Sequence, residues 1–283
     1  MIRKSPLNLI ATSTILFVLI ILVAFPLFWC VTISFRPSSD LFLRKIFPSL
    51  LVLTNFKEIF LNKNWAGFAG LSFIVPLQNS LLTAFVSTSL AMLVCIPAGY
   101  ALAKFRMKGK ELFSFYILLA YVFPPFVLIT SIYLTIQNIG LHDTLFGLSI
   151  LHLILMIPYN IWTLRGYFST LPNEIEDSAF VDGCSRVKCL IKVVIPITAP
   201  GVASAAIFSF TMSWQDLLFA VITIDSFPRF TLPVALRSMV IGDTIRWGSL
   251  MAGVMLAILP PLILFLFMQR YIIQGLTAGA VKG

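Results

Sequence analysis

Residues 77–103, LQNSLLTAFVSTSLAMLVCIPAGYALA, contain no Asp, Glu, Lys, Arg or His, and the chain then turns basic at Lys104, Arg106, Lys108 and Lys110. A bilayer crossing needs about 20 consecutive, mostly apolar residues. The run therefore reads as a membrane-spanning helix, and its basic border as a flank kept in the cytoplasm. Five further uncharged or nearly uncharged runs lie on either side of it, at residues 9–33, 112–136, 145–164, 201–224 and 247–269. The sequence thus predicts an all-α membrane protein with six transmembrane helices. Continuous apolar runs, in place of alternation every second residue, argue against a barrel.

Composition agrees: of 283 residues 59% are hydrophobic and only 11% charged, with a mean hydropathy of +0.99. A soluble enzyme, a disordered chain and a disulfide framework are all disfavoured. The net charge of +9 is a topology signal in such a chain and does not point to nucleic acid. Cys30 and Cys95 lie in apolar runs, and Cys184 and Cys189 have no zinc spacing, so all four read as small apolar filler. Arg3 and Lys4 precede an apolar run about twice the length of a signal-peptide core, with no cleavage site after it, which predicts a retained span. The link at residues 137–144 has no Lys or Arg, so it is placed outside and both termini inside. The loop at residues 34–76 must then lie outside despite Arg36, Arg44, Lys45, Lys57 and Lys63. The expected organisation is an N-terminal helix with its external loop (1–76), a five-helix core (77–272) carrying a cytoplasmic loop (165–199), and a cytoplasmic tail (273–283).

Pro97, Gly99, Pro124, Pro125, Pro158, Pro260 and Pro261 fall inside the runs. Each proline removes a backbone donor and favours a bend, which a cavity-forming bundle tolerates.

The loop at residues 165–199 is too long for a turn and reads as two short helices. Asn173 is the expected N-cap, with Glu176 completing a capping-box spacing. Glu174, Glu176 and Asp177 put negative charge in the first turn, and Gly183 supplies a left-handed stop. Ser185 caps a second helix, with Val187, Leu190, Ile191 and Val194 on one face and Lys188 and Lys192 on the other. Pro196 ends it, and Pro200 starts the next span. The alternative to a partner-binding loop is an amphipathic hairpin lying on the inner leaflet.

The stretch from Asp177 to Pro200, D-S-A-F-V-D-G-C-S-R-V-K-C-L-I-K-V-V-I-P-I-T-A-P, resembles the E-A-A-x-x-x-G loop and trailing I-x-L-P of permease subunits in binding-protein-dependent ABC importers. Asp177 and Ser178 stand where Glu and Ala are usual, while Ala179, Asp182 and Gly183 match. The resemblance extends through A-G-Y-A-L-A-K-F-R from Ala98, G-L-H-D-T-L-F-G from Gly140, Y-N-I-W-T-L-R-G-Y-F from Tyr159 and W-Q-D-L-L-F-A from Trp214. With the tail Q-R-Y-I-I-Q-G-L-T-A-G-A-V-K-G from Gln269, it is similar to the maltose-type second permease of sugar importers. The likeness implies a type I ABC importer permease fold whose loop is a coupling helix seated in an ATP-hydrolysing subunit. It assigns Glu174, Glu176, Asp177, Ser178, Ala179, Asp182, Gly183 and Arg186 to that contact, and Gly279, Ala280, Val281, Lys282 and Gly283 to a second one. It implies a homologous permease partner, two ATP-binding subunits that hold the ATP and Mg, and an external sugar-binding protein. No cofactor is expected in this chain.

Asp216 is the one carboxylate inside a predicted span, and a charge there normally faces a polar cavity or a partner. With Trp214 and Gln215 beside it, two readings stay open: a sugar-binding pocket on the translocation path, or a hydrogen bond to another helix. His152 reads as a neutral packing histidine. No G-x-x-x-x-G-K-[ST] loop or catalytic constellation is present, so neither ATP binding nor catalysis is expected of this chain. The rival functions are a permease for another solute such as peptide, an ion-coupled secondary transporter, and a non-transporting scaffold.

Overall fold

A computed structural model describes residues 6–40, 46–61, 72–240 and 245–280. Among them there are helices and turns and no strands. The helices are α1 (Pro6–Ser34), α2 (Thr54–Leu61), α3 (Ile74–Lys104), α4 (Lys110–Val122), α5 (Ile129–Asn138), α6 (Leu145–Ser169), α7 (Asn173–Val181), α8 (Arg186–Cys189), α9 (Ile195–Ile197), α10 (Ala199–Trp214), α11 (Leu218–Thr223), α12 (Leu232–Ser238) and α13 (Trp247–Ala280). The chain divides into two compact units, Met1–Ile74 with Ala235–Leu259, and Val75–Val234 with Pro260–Gly283.

Among the described residues four helices are long and apolar enough to cross a bilayer, Thr12–Ser34, Ile74–Lys104, Leu145–Ser169 and Trp247–Phe267, and two bent pairs bring the number to as many as six. The expected run at 112–136 is one of these pairs, Lys110–Val122 and Pro125–Asn138, bent by 83°. Phe123, forced out of the helical region by the proline after it, is extended at φ −70°, ψ 126°, as residues before proline are. By contrast α3, α6 and α13 run on through Pro97, Pro158, Pro260 and Pro261. Of the prolines expected to interrupt spans, only the Pro124–Pro125 pair does so.

The run at 201–224 also departs from a single crossing. Helix α10 stops at Trp214, and α11 starts at Leu218. At its other end α10 meets Arg186–Ile197 at a bend of 86°.

In the unit containing α1, the end of that helix is closed by Asn55, whose Nδ2 donates to the carbonyls of Ser34 and Arg36 at 2.9 Å each. Arg36 is buried and donates to the Ile46 carbonyl at 2.9 Å. Glu58 pairs with Arg246 and accepts from the Ser249 hydroxyl.

In the larger unit, α3 buries a stripe of small residues, Ser80, Ala84, Ser87, Ala91, Cys95 and Gly99. Lipid supplies no hydrophobic drive for helix association, so close backbone approach through small side chains is how such helices pack. Helix α10 repeats the device with Gly201, Ala205 and Ser209. At Gly201 an added Cβ would lie 2.2 Å from Tyr167 Cγ on α6 and 2.7 Å from its Cβ, too near the root of the ring for a rotation to relieve. Gly201→Ala is expected to lower the melting temperature in detergent, and Tyr167→Ala in the same chain to recover part of the loss. An unchanged melting temperature in the single variant would contradict this packing.

Candidate functional site

The hairpin between α6 and α10 is built largely by local rules. Helix α7 ends in a Schellman motif: the Cys184 amide donates to the Ala179 carbonyl and the Gly183 amide to that of Phe180, both at 3.0 Å. Gly183 sits at φ +79°, a left-handed conformation that costs other L-residues roughly 1–2 kcal/mol. Ser185 caps α8, its side chain accepting from the Lys188 amide at 3.4 Å.

Two local expectations fail. Asn173 is the first residue of α7 and not its cap; Pro172 precedes it with no side-chain cap bond. The capping box does not form because both of its side chains are claimed by Lys104, the last residue of α3. Lys104 donates to Asn173 Oδ1 at 3.0 Å, and its Nζ lies 2.8 Å from Glu176 Oε1. The second departure is the face of α8: Cys189, Leu190 and Val194 are buried, whereas Val187 and Ile191 are exposed. Residues Leu190–Val194 form a wider π-helical turn, which shifts the phase of the helix and breaks the 3.6-residue pattern.

The structure separates the residues assigned to the ATPase contact into two groups. Glu174, Asp177, Ser178, Asp182, Gly183 and Arg186 are exposed, as is Val181. Glu176 and Ala179 instead face the bundle and are buried. Glu176 Oε2 accepts from Tyr100 Oη at 2.6 Å. Ala179 joins an apolar cluster with Tyr100, Leu102, Leu164, Phe168, Cys189, Leu190 and Val194. Arg186 reaches over Phe105, 4.9 Å from its ring centre, and over Phe180 at 5.6 Å. On the flank, Arg165 binds both oxygens of Glu111 at 2.6 Å.

Sequence reasoning missed Tyr100 and Lys104. The signal was their i, i+4 spacing at the end of a span, a phenol and an ammonium on one face. Gly279 and Ala280 end α13, and Val281, Lys282 and Gly283 lie outside the described residues.

The three candidate pocket residues differ in exposure and in partners. Trp214 is buried and stacks on Phe210 with centroids 5.8 Å apart. Gln215 is exposed. Asp216 has both oxygens engaged: Oδ1 accepts from the Phe219 amide at 3.2 Å, and Oδ2 from the Ala220 amide at 3.0 Å. These are the free donors of the first turn of α11, so the carboxylate acts as that helix's cap. This restart is why the expected fifth span is not continuous. Oδ2 also lies 3.1 Å from His152 Nε2, and His152 Nδ1 lies 2.8 Å from Ser213 Oγ and 3.1 Å from Ser87 Oγ. The lone histidine of α6 therefore has an ionisable partner, from the break between α10 and α11.

Just before the start of α6, Asp143 joins two loops. Its side chain accepts from the Asp225 amide at 3.1 Å, from the Ser226 amide at 2.9 Å and from the Ser226 hydroxyl, and it pairs with Arg229. Burial pushes this carboxyl up, but the Ser226 and Asp225 hydrogen bonds and the Arg229 charge outweigh it and hold the group at about 2, below the ordinary 3.8.

The family model described as "Binding-protein-dependent transport system inner membrane component" matches residues 95–278. Relatives include the diacetylchitobiose uptake system permease protein of Streptomyces coelicolor, 32% identical over 96% of this chain and 95% of the relative. The trehalose transport system permease protein of Mycobacterium tuberculosis is 32% identical over 91% and 92%. The trehalose/maltose transport system permease protein of Thermococcus litoralis is 30% identical over 93% of each chain. A chain in the crystal structure of a bacterial ABC transporter involved in import of the acidic polysaccharide alginate superposes with a TM-score of 0.80. It covers 96% of this chain and 99% of its own at 19% identity, a likeness of fold. The chain belongs to the family of binding-protein-dependent transport system inner membrane components.

Two outcomes follow from the geometry. Because the Asp143 carboxyl is depressed, its stabilisation is full above the ordinary value of 3.8 and is lost as pH falls through about 2. The melting-temperature gap between wild type and Asp143→Asn should therefore close over that window and stay constant above it; a gap that widens on acidification would contradict the assignment. Asp216→Ala should lower the melting temperature more than Asp216→Asn, which keeps an acceptor for the α11 amides. Equal losses would remove the capping role.

Proposed function

We propose, from membership of this family, that the chain is one of two homologous permease subunits in an ATP-driven importer of di- or oligosaccharides of the maltose and trehalose class. The observation that carries the substrate class is the likeness, at 30–32% identity over more than nine-tenths of the chain, to permeases named for diacetylchitobiose, trehalose and maltose transport. In this reading an external binding protein delivers the sugar, and two ATP-binding subunits, which hold the ATP and Mg, grip the hairpins of the permease pair. Both termini and the hairpin face the cytoplasm, and the chain itself has no ATPase site.

The exposed group on α7 suits that role. Glu174, Asp177 and Asp182 present carboxylates and Val181 an apolar side chain, a face able to meet a basic cleft with an apolar floor. The carboxyl-terminal residues from Gly279 to Gly283 are assigned to a second contact with the ATPase. On the translocation path, Gln215 is the one residue of the Trp214–Asp216 trio that is exposed, and we assign to Asp216 a structural role in place of sugar contact. Closure of the ATPase pair on ATP would turn the cavity outward, and hydrolysis would return it.

The test is reconstitution of the permease pair, the ATPase subunits and the binding protein in liposomes. With no ion gradient, radiolabelled trehalose or maltose should enter only when ATP is present on the ATPase side. Asp177→Lys, an exposed substitution, should reduce sugar-stimulated ATP hydrolysis at least tenfold at unchanged recovery of the permease. Uptake driven by a proton or sodium gradient without ATP would overturn the proposal.

A further inference from the structure

Helix α7 carries three acidic residues in and just after its first turn, and they part company. Glu174 and Asp177 are exposed, while the side chain of Glu176 is 6% exposed and that of its partner Lys104 is 8%. Tyr100 and Lys104, four residues apart on the last turns of α3, take one carboxylate oxygen each: Tyr100 Oη donates to Oε2 at 2.6 Å, and Lys104 Nζ stands 2.8 Å from Oε1. The same ammonium donates to the Leu171 carbonyl at 2.6 Å and to Asn173 Oδ1 at 3.0 Å, on both sides of the turn between α6 and α7. The Tyr100 ring is held edge-on by Phe105 and Phe168, with centroids 5.8 and 6.1 Å away.

This arrangement answers a mechanical question that chain connectivity leaves open. The hairpin is covalently continuous with α6 and with α10, so displacing it moves those two helices directly. Helix α3 has no such link. An apolar contact alone would let it slide, because dispersion is weakly directional. A buried ion pair resists separation, since parting the charges leaves each uncompensated in a dry site. An exposed pair would yield to water.

We infer that Tyr100, Lys104 and Glu176 form a rigid joint that carries displacement of the α7–α8 hairpin into membrane helix α3, with Tyr100 and Lys104 as positioning residues for transport. Glu176 then serves the chain's interior and leaves the ATPase contact to the exposed acids. The inference rests on the importer reading above.

The experiment uses the complete importer in liposomes, with the ratio of disaccharide imported to ATP hydrolysed as one readout. The other is the distance between spin labels at the exposed positions Lys108 and Lys188, measured nucleotide-free and ATP-trapped. In the parent assembly that distance should be the same in both states. Lys104→Met should broaden it and reduce the import ratio at least tenfold, at unchanged recovery of the assembled complex. Tyr100→Phe, which deletes one hydroxyl, should reduce the ratio two- to fivefold, and Lys104→Arg should retain most of it. A parent distance that changes with nucleotide would overturn the joint, as would wild-type ratios in Lys104→Met or Tyr100→Phe. Should Lys104→Met fail to assemble, Tyr100→Phe decides alone. Absence of ATP-dependent uptake in the unsubstituted assembly would refute the importer reading itself, an outcome distinct from failure of the joint.

Discussion

A carboxylate withdrawn from water must find its countercharge inside the protein, and Glu176 finds it on a helix remote in sequence. Removing one partner of a buried pair costs about 3–5 kcal/mol, a large fraction of the marginal stability of a folded chain. That penalty fixes the end of α3 against the α6–α7 turn. It leaves Glu174, Asp177, Ser178 and Asp182 projecting from a platform that cannot tilt independently of the bundle. The apolar cluster of Leu164, Phe168, Ala179, Leu190 and Val194 fills the space beneath it.

The same rule governs the interrupted helices. In lipid every freed backbone group must be satisfied by the protein. The break between α10 and α11 is made possible by Asp216, which takes two amides of the new helix and is itself held by His152. The break after α4 follows from the prolines at 124 and 125. A neighbouring hollow of about 500 Å3, lined by Tyr116, Tyr121, Phe123, Leu128 and Ile132 among others, is almost wholly apolar. Chemically it is unlike a sugar pocket.

Much of this was legible in the sequence. Uncharged runs located the long helices, because length and apolarity are all that crossing a bilayer demands, although α13 runs on past the expected end at 269 to Ala280. The stop at Gly183 and the cap at Ser185 were readable because a single residue decides each. What escaped depends on tertiary partners. Asn173 and Glu176 have capping-box spacing, yet Lys104 from α3 outcompetes the local bonds. The face of α8 was misjudged at Val187 and Ile191 because the π-helical turn shifts the register. Lys104 was read only as a charge marking one side of the membrane; its spacing from Tyr100 was the one local sign, and the carboxylate that draws it inward lies on a helix remote in sequence.

The coupling role requires the exposed acid face of α7 to lie on the ATPase side of the membrane and to be covered by that subunit. Ser178→Cys, in a chain with Cys30→Ser and Cys184→Ser, offers an exposed thiol there. A membrane-impermeant maleimide should label it in inside-out vesicles and fail to do so in right-side-out ones, and adding the ATPase subunits should protect it. Labelling from the external side, or labelling indifferent to the ATPase subunits, would contradict the account.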